Sequence, residues 1–212
     1  MKSNSIFWNN FYKKKLKINF PSNFAKFIFR FKTFNKKNLL IDVGCGNGRD
    51  LLFFVQKKIN CYGIDKSFSA IKHIRNNFKV NYDKKFLKLT CGDFTKFNYL
   101  KIKQSFSIYS RFTLHTISYS QEKNFFKNLN KCKNFKYLFI EARSTKDSLF
   151  GKGTQISSTE FVTDHYRRFI DKNEFIKKIK KNFEIIYIKE SKGFSKLGKN
   201  NPCLIRLIAK KK

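Results

Sequence analysis

The sequence predicts an α/β fold built on a mostly parallel sheet, and three stretches predict it. Leu39-Leu40-Ile41-Asp42-Val43 is an apolar run that opens onto glycines at 44, 46 and 48; Ile59 to Ile64 is a second run ending at Asp65; Phe86 to Cys91 is a third, followed by Gly92-Asp93-Phe94. An apolar run bounded by glycine reads as a buried parallel strand, with a helix between one strand and the next. The glycines let the backbone turn tightly and approach a ligand that any Cβ would block. A dinucleotide fingerprint, G-x-G-x-x-G, would need glycine where the chain has Arg49. Asp42 is also a poor neighbour for a pyrophosphate and a good one for a ligand carrying an ammonium and a sulfonium.

The chain has 212 residues, enough for one sizeable core. Its formal charge is +33, and thirty-nine of the forty-seven basic residues are Lys, beside twenty-one Asn and twenty-seven Phe. That is the composition an AT-rich coding sequence tends to give. The lysines are spread over every segment and not gathered in one patch, which reads as drift and solvated faces. Where acids are this scarce, one kept beside a glycine loop carries weight. Five cysteines, none in a C-x-x-C pair, speak for a reduced cytoplasm and against zinc or any other metal site. No apolar stretch is long enough for a membrane span and the start lacks a signal-peptide core, so a cytoplasmic protein is expected.

Residues 1–37 read as an aromatic cap on a methodically alternating domain that fills 38–212. Ser22 or Asn23 after Pro21 is a plausible N-cap for a helix burying Phe24, Phe27, Ile28 and Phe31. This region either covers one end of the sheet or, through Trp8, Phe11 and Tyr12, forms a lid over a bound ligand. Asp50 to Lys58 and Ser67 to Phe78 are the next helices, and His73 in the second is a surface or packing residue. An acid such as Asp65, at a strand's carboxyl end about 20 residues past the loop, is where a ribose diol is held. Asp93 suits an adenine amine, with Phe94 packed on the ring. Phe106 to Tyr109 and Tyr137 to Ala142 are the fourth and fifth strands, separated by a helix from Gln121 to Cys132. Arg143 to Thr163 is a long polar loop, of a length that is usually functional or disordered. Asp171 with Glu174 begins a last helix, and Phe183 to Glu190 with Leu204 to Ala209 form an antiparallel pair.

Taken as a set, Asp42-x-Gly44-x-Gly46-x-Gly48, Asp65 and Asp93 resemble the S-adenosylmethionine (SAM) site of class I methyltransferases, with their Rossmann-like seven-stranded sheet and antiparallel last strand. More narrowly, Pro21-Ser22-x-Phe24-Ala25, Gly46-Asn47-Gly48-Arg49-Asp50, Ser110-Arg111-Phe112-x-Leu114-His115, Glu141-Ala142-Arg143-Ser144 and Gly151-Lys152-Gly153 with Asp164-His165-Tyr166-Arg167-Arg168 resemble a tellurite-resistance-type subgroup often found in bacterial surface-polysaccharide gene clusters. The resemblance implies SAM as cofactor, held by Asp42, Gly44, Cys45, Gly46, Asn47, Gly48, Asp65, Lys66, Asp93, Phe94 and Ser110. It suggests a sugar or phosphorylated precursor as acceptor.

Methyl transfer from a sulfonium depends largely on positioning the two reactants. His115 and His165 are the histidines in site-forming segments and, with Arg111, the candidates for catalysis. Arg143, Lys146, Lys152, Tyr166, Arg167 and Arg168 are the candidates for holding an anionic acceptor. Ser110-Arg111-Phe112-Thr113 stands where methyltransferases of planar amino groups carry Asn/Asp-Pro-Pro-Tyr/Phe, which favours an oxygen acceptor. The alternatives are an RNA methyltransferase and a non-catalytic SAM-binding regulator; no separate RNA-binding module is evident. If the charge is drift, binding to generic RNA will be weak at physiological salt and fall steeply as salt rises, which a filter-binding titration checks. Tight, salt-resistant, sequence-selective binding would favour the RNA reading.

Overall fold

The computed structural model describes residues 2–13, 20–77, 84–196 and 198–212. In chain order the elements are α1 (Lys2–Lys13), α2 (Asn23–Arg30), β1 (Leu39–Val43), α3 (Arg49–Gln56), β2 (Cys61–Asp65), α4 (Phe68–Asn77), β3 (Leu87–Cys91), β4 (Phe106–Arg111), α5 (Tyr119–Asn130), β5 (Phe135–Arg143), β6 (Thr154–Ser157), β7 (Glu160–Val162), β8 (Tyr166–Arg168), α6 (Lys172–Lys180), β9 (Phe183–Ser191) and β10 (Leu204–Lys211). The expected end of α4 at Phe78 lies outside the described residues.

Seven strands form one sheet in the order β3-β2-β1-β4-β5-β10-β9. β1 to β5 pair in parallel, and β10 runs antiparallel to both β5 and β9. The predicted Rossmann-like sheet is therefore present. Strand order reverses between β1 and β4, so the loops leaving these neighbours part and open a crevice at their carboxyl ends.

Side chains of a strand alternate between faces, and each face here has its own core. On one face Ile41, Ile108 and Leu138 meet Phe125 and Leu129 of α5 and Phe175 and Ile179 of α6. On the other Leu40, Tyr109 and Phe139 meet Phe24 and Ile28 of α2, Leu51 and Phe54 of α3 and Ile71 and Ile74 of α4. Phe27 and Phe31, expected in the core, are half-buried and pack on Tyr187 of β9.

Ser22 is the N-cap of α2, its Oγ accepting from Ala25 N at 3.0 Å. It is tied down by Asp50, which accepts from Ser22 N and Oγ, each at 2.8 Å, and from Tyr109 Oη at 2.7 Å. One carboxylate thus joins the cap segment, the first turn of α3 and strand β4. α5 starts with a capping box between Ser118 and Gln121, and α6 with Asp171 accepting from Glu174 N at 2.9 Å. Among the described residues no helix is long and apolar enough to cross a membrane.

The segment read as a loop after Arg143 is instead a second sheet, β6-β7-β8, antiparallel throughout. Its strands have three or four residues and all four of β6 are exposed, so no apolar alternation announces them. What fixes the sheet is a three-ring cluster: Phe161 of β7 lies 5.3 Å from Phe150 and 6.0 Å from Phe169, centroid to centroid.

Replacing Ser22 by Ala removes the cap and one donor to the buried Asp50. It is expected to lower stability by about 1–2 kcal/mol in urea unfolding, with Asn23→Ala as a near-neutral control.

Candidate functional site

At the carboxyl ends of β1, β2, β4 and β5 the crevice widens into a cavity of about 1320 Å³. A site for one small ligand is usually roughly 300–1,000 Å³, so there is room for two. Among the described residues, five of the chain's fourteen acids line it (Asp42, Asp50, Asp65, Asp93 and Glu160) and five of its forty-seven Lys and Arg. In a chain charged at +33 that is a marked concentration of carboxylates.

The half beside the glycine loop holds most of the residues assigned to the cofactor. Asp42, Gly44, Cys45, Gly46, Asn47, Asp65, Lys66, Asp93 and Phe94 all line the cavity. Asp65 accepts from Gly46 N at 2.9 Å on one oxygen and from Ser67 N at 2.8 Å on the other, which aims the carboxylate and leaves each oxygen a second lone pair. Asp93 accepts from Thr95 N and Oγ1 and pairs with Lys66 Nζ at 2.9 Å. Burial, and then the neighbouring Asp50 and Asp65 carboxylates, push the Asp42 carboxyl well above the usual carboxylate range, against the pull of Arg111. Gly46, at φ 55°, has the Tyr12 hydroxyl where a Cβ would stand. Gly48, at φ 78°, does not line the cavity; it caps α3 and packs on Ile74. Ser110 is fully buried in β4 and also off the cavity, its hydroxyl without a partner among the described residues.

Above the loop lies α1. Its Trp8, Phe11 and Tyr12 line the cavity, the arrangement of the lid reading. Asn9 Oδ1 accepts from Ser67 Oγ at 2.9 Å, and the rings of Phe7 and Trp8 lie 4.4 and 5.1 Å from that of His165.

The far wall is built by the exits of β4 and β5 and by the small sheet. Arg111 donates to Glu141 Oε1 at 3.1 Å and Ser195 Oγ at 2.8 Å. Phe112, at φ 56°, carries the Arg111 guanidinium 4.3 Å from its ring centroid. Arg143 donates to both oxygens of Asp147, at 2.8 and 2.9 Å. Tyr166 donates to Glu160 Oε1 at 2.6 Å.

Residues 40–133 match the family model described as a methyltransferase domain. Over that stretch, less than half of the chain, the sequence is similar to a methyltransferase domain. Solved structures share the fold: a SAM-dependent methyltransferase from Anabaena variabilis (20% identity, covering 100% of this chain and 94% of that one, TM-score 0.73), another from Methanosarcina mazei (17%, 84% and 94%, 0.71) and TehB from Haemophilus influenzae (17%, 88% and 62%, 0.63). No curated protein matches the sequence. The half beside the glycine loop has groups suited to SAM. Asp42, crowded by like charges and without a cation of its own among the described residues, is relieved by an ammonium or sulfonium; Asp65 and Asp93 have lone pairs for a diol and an amine.

The cavity brings together fewer of the catalytic and acceptor candidates. Arg111, Arg143 and Tyr166 line it; His115, His165, Lys146, Lys152, Arg167 and Arg168 do not. His115 is buried, takes a 3.4 Å hydrogen bond from Arg143 N on Nδ1, and is held as neutral imidazole by burial first and then by Arg143 and Arg167. His165 packs under α1, 3.1 Å from Asp164. Lys146 is 72% exposed and pairs with Glu190 at 2.9 Å. Lys152 is exposed at the tip of the turn before β6. Arg167 bonds Thr163 and Asp164, and Arg168 is buried on Glu122 and the Leu114 and Ile117 carbonyls. The Arg168 charge is spent inside the fold, a use that spacing alone does not distinguish from ligand binding.

Glu160, Phe112, Ser195 and Asn200 line the cavity without having been singled out. Of these, Glu160 is an acid in a mostly basic and polar stretch that also holds Asp147 and Asp164. Arg168→Ala would leave Glu122 buried with Lys178 alone, at a cost of about 3–5 kcal/mol. Urea unfolding is expected to show that loss, with SAM affinity little changed in the folded fraction.

Proposed function

We propose that this chain transfers the methyl group of SAM to a hydroxyl oxygen of a small sugar-type acceptor, with residues 1–37 serving as the cap over the site. One observation supports this above the others: a single cavity runs from the Asp42, Asp65 and Asp93 carboxylates to a separate wall formed by Phe112, Arg143, Glu160 and Tyr166. The first part matches a cationic nucleoside donor, and the second has aromatic and hydrogen-bonding groups for a polyol. When bound, SAM supplies an electrophilic methyl on a positively charged sulfur. The residues present bind and orient the reactants, and α1 with its aromatic side chains excludes water.

The motif resemblance supports an acceptor among precursors of cell-surface polysaccharide, in the cytoplasm, and the free thiols of all five cysteines agree with a reducing setting. Of the residues first assigned to an anionic acceptor, Arg143 and Tyr166 reach the cavity, and Asp147 already neutralises Arg143. That supports a neutral hydroxyl over a phosphate oxygen.

Calorimetry with S-adenosylhomocysteine (SAH) tests the donor half. Gly46→Val drives a branched side chain into Tyr12, and Asp65→Ala removes the carboxylate that braces the loop. Each is expected to weaken SAH on the order of tenfold or more, about 1.4 kcal/mol or more, and NAD should not compete. Unchanged affinity in both variants would overturn the assignment. Methylation of total RNA in the presence of labelled SAM would replace the sugar-type acceptor with a nucleic acid.

A further inference from the structure

Building on the methyl-transfer reading above, we propose that Glu160 is the catalytic base that takes the proton of the attacking acceptor hydroxyl, with Tyr166 as its positioning residue. Glu160 on β7 and Tyr166 on β8 sit in adjacent antiparallel strands, and both line the cavity. The phenol fixes Oε1 at 2.6 Å, while Oε2 receives no hydrogen bond from the described residues. An ionised carboxylate only accepts, so the free oxygen is suited to an incoming O–H.

The other acids and histidines fall away in turn, Asp50 because Ser22 and Tyr109 donate to both its oxygens. Asp42, Asp65 and Asp93 belong to the donor half, and His115 and His165 are outside the lining. Arg111 and Arg143 are held by Glu141 and Asp147. Arg168 is the register partner of Glu160, yet its guanidinium is turned onto Glu122, so it does not neutralise Glu160.

In the step so assigned, the acceptor oxygen forms a bond to the methyl carbon as the carbon–sulfur bond breaks. The hydroxyl proton passes to Glu160, and the sulfur leaves as a neutral thioether. A carboxylate on this wall also repels a phosphate, so the acceptor presents a neutral hydroxyl here.

The test uses the full chain with SAM, neutral methyl hexosides and hexose 6-phosphates as probes, and SAH formation as the readout. Glu160→Gln is expected to lower kcat by about 10²–10⁴-fold with SAH affinity unchanged. Tyr166→Phe should lower kcat less and leave KM for SAM alone, and added formate should restore part of the rate to Glu160→Ala. Wild-type turnover by Glu160→Gln, or no formate rescue, overturns the base. Faster methylation of the phosphates overturns the acceptor class. A wild-type chain that binds SAH but turns over no probe fails the methyl-transfer reading itself, and the base falls with it. If Glu160→Gln loses SAH binding through misfolding, the Tyr166→Phe rate decides: no change in kcat rejects the assignment.

Discussion

The Glu141 carboxylate is fully buried at the carboxyl end of β5, between Arg111 of β4 and Arg206 of β10, at 3.1 and 2.5 Å. Burial raises its pKa, and the two guanidiniums oppose that rise. Such an arrangement is expensive to desolvate and more expensive to break, because losing one partner strands a charge inside. Much else hangs from it. Arg206 stacks on Phe194 and lies near Phe24 and Phe27 of α2, and donates to the Phe194 carbonyl; Arg111 reaches Ser195. The cap, the central strand, the antiparallel strand and the 192–202 segment therefore share one charge cluster. Of this cluster, Arg111 lines the cavity.

The same economy of acids runs through the molecule. With fourteen carboxylates against forty-seven basic residues, an acid on the surface would find a partner anywhere. Those that are buried or half-buried instead serve one of two uses, Asp50 serving both. Asp50, Glu122, Glu141 and Asp147 each hold two or more segments by hydrogen bonds, whereas Asp42, Asp65 and Glu160 present oxygens to the cavity. A site neutral or negative inside a strongly positive surface favours cations and neutral polyols within, while the surface field gathers anions only outside.

What the sequence revealed follows this division. The strands β1, β2 and β3 were legible because buried parallel strands are continuous apolar runs. The cavity-lining Asp42, Gly44, Gly46, Asp65 and Asp93 were legible because glycine and aspartate have few other reasons to alternate there. The last two strands and the caps at Ser22 and Asp171 were legible from local patterns alone. Gly48 and Ser110 were assigned to the cofactor because a motif marks positions and not directions: Gly48 has its Cα toward Ile74, and Ser110 points into the sheet's packing. Arg167, Arg168 and Lys146 were assigned to the acceptor because a basic residue in a loop looks the same whether its partner is a ligand or a distant acid. Glu122 and Glu190, which pair with Arg168 and Lys146, lie far from them in sequence, so only the tertiary pairing shows it, whereas Asp164 stands in the same motif as Arg167. The small sheet was invisible for a related reason. Its stability comes from the Phe150, Phe161 and Phe169 cluster, not from a period of two along any one strand.

Phe112 shows how these constraints converge on the site. A non-glycine residue at φ 56° carries a cost of about 1–3 kcal/mol, which persists only when the surroundings over-determine it. Here they do. Its amide donates to the Glu141 carbonyl at 2.9 Å, and its ring is faced by Arg111 at 4.3 Å and by Arg143 at 5.9 Å, with the edge of His115 at 5.6 Å. Those guanidiniums are themselves fixed by Glu141 and Asp147. The buried imidazole of His115 therefore braces an aromatic wall from behind, a role that its spacing in the sequence could not separate from catalysis. The left-handed turn redirects the chain after β4, so that Arg111 and Phe112 face the cavity while Leu114 and His115 enter the core. Relaxing the turn would exchange these sides, which is why the strain and the charge cluster that holds it belong to one device.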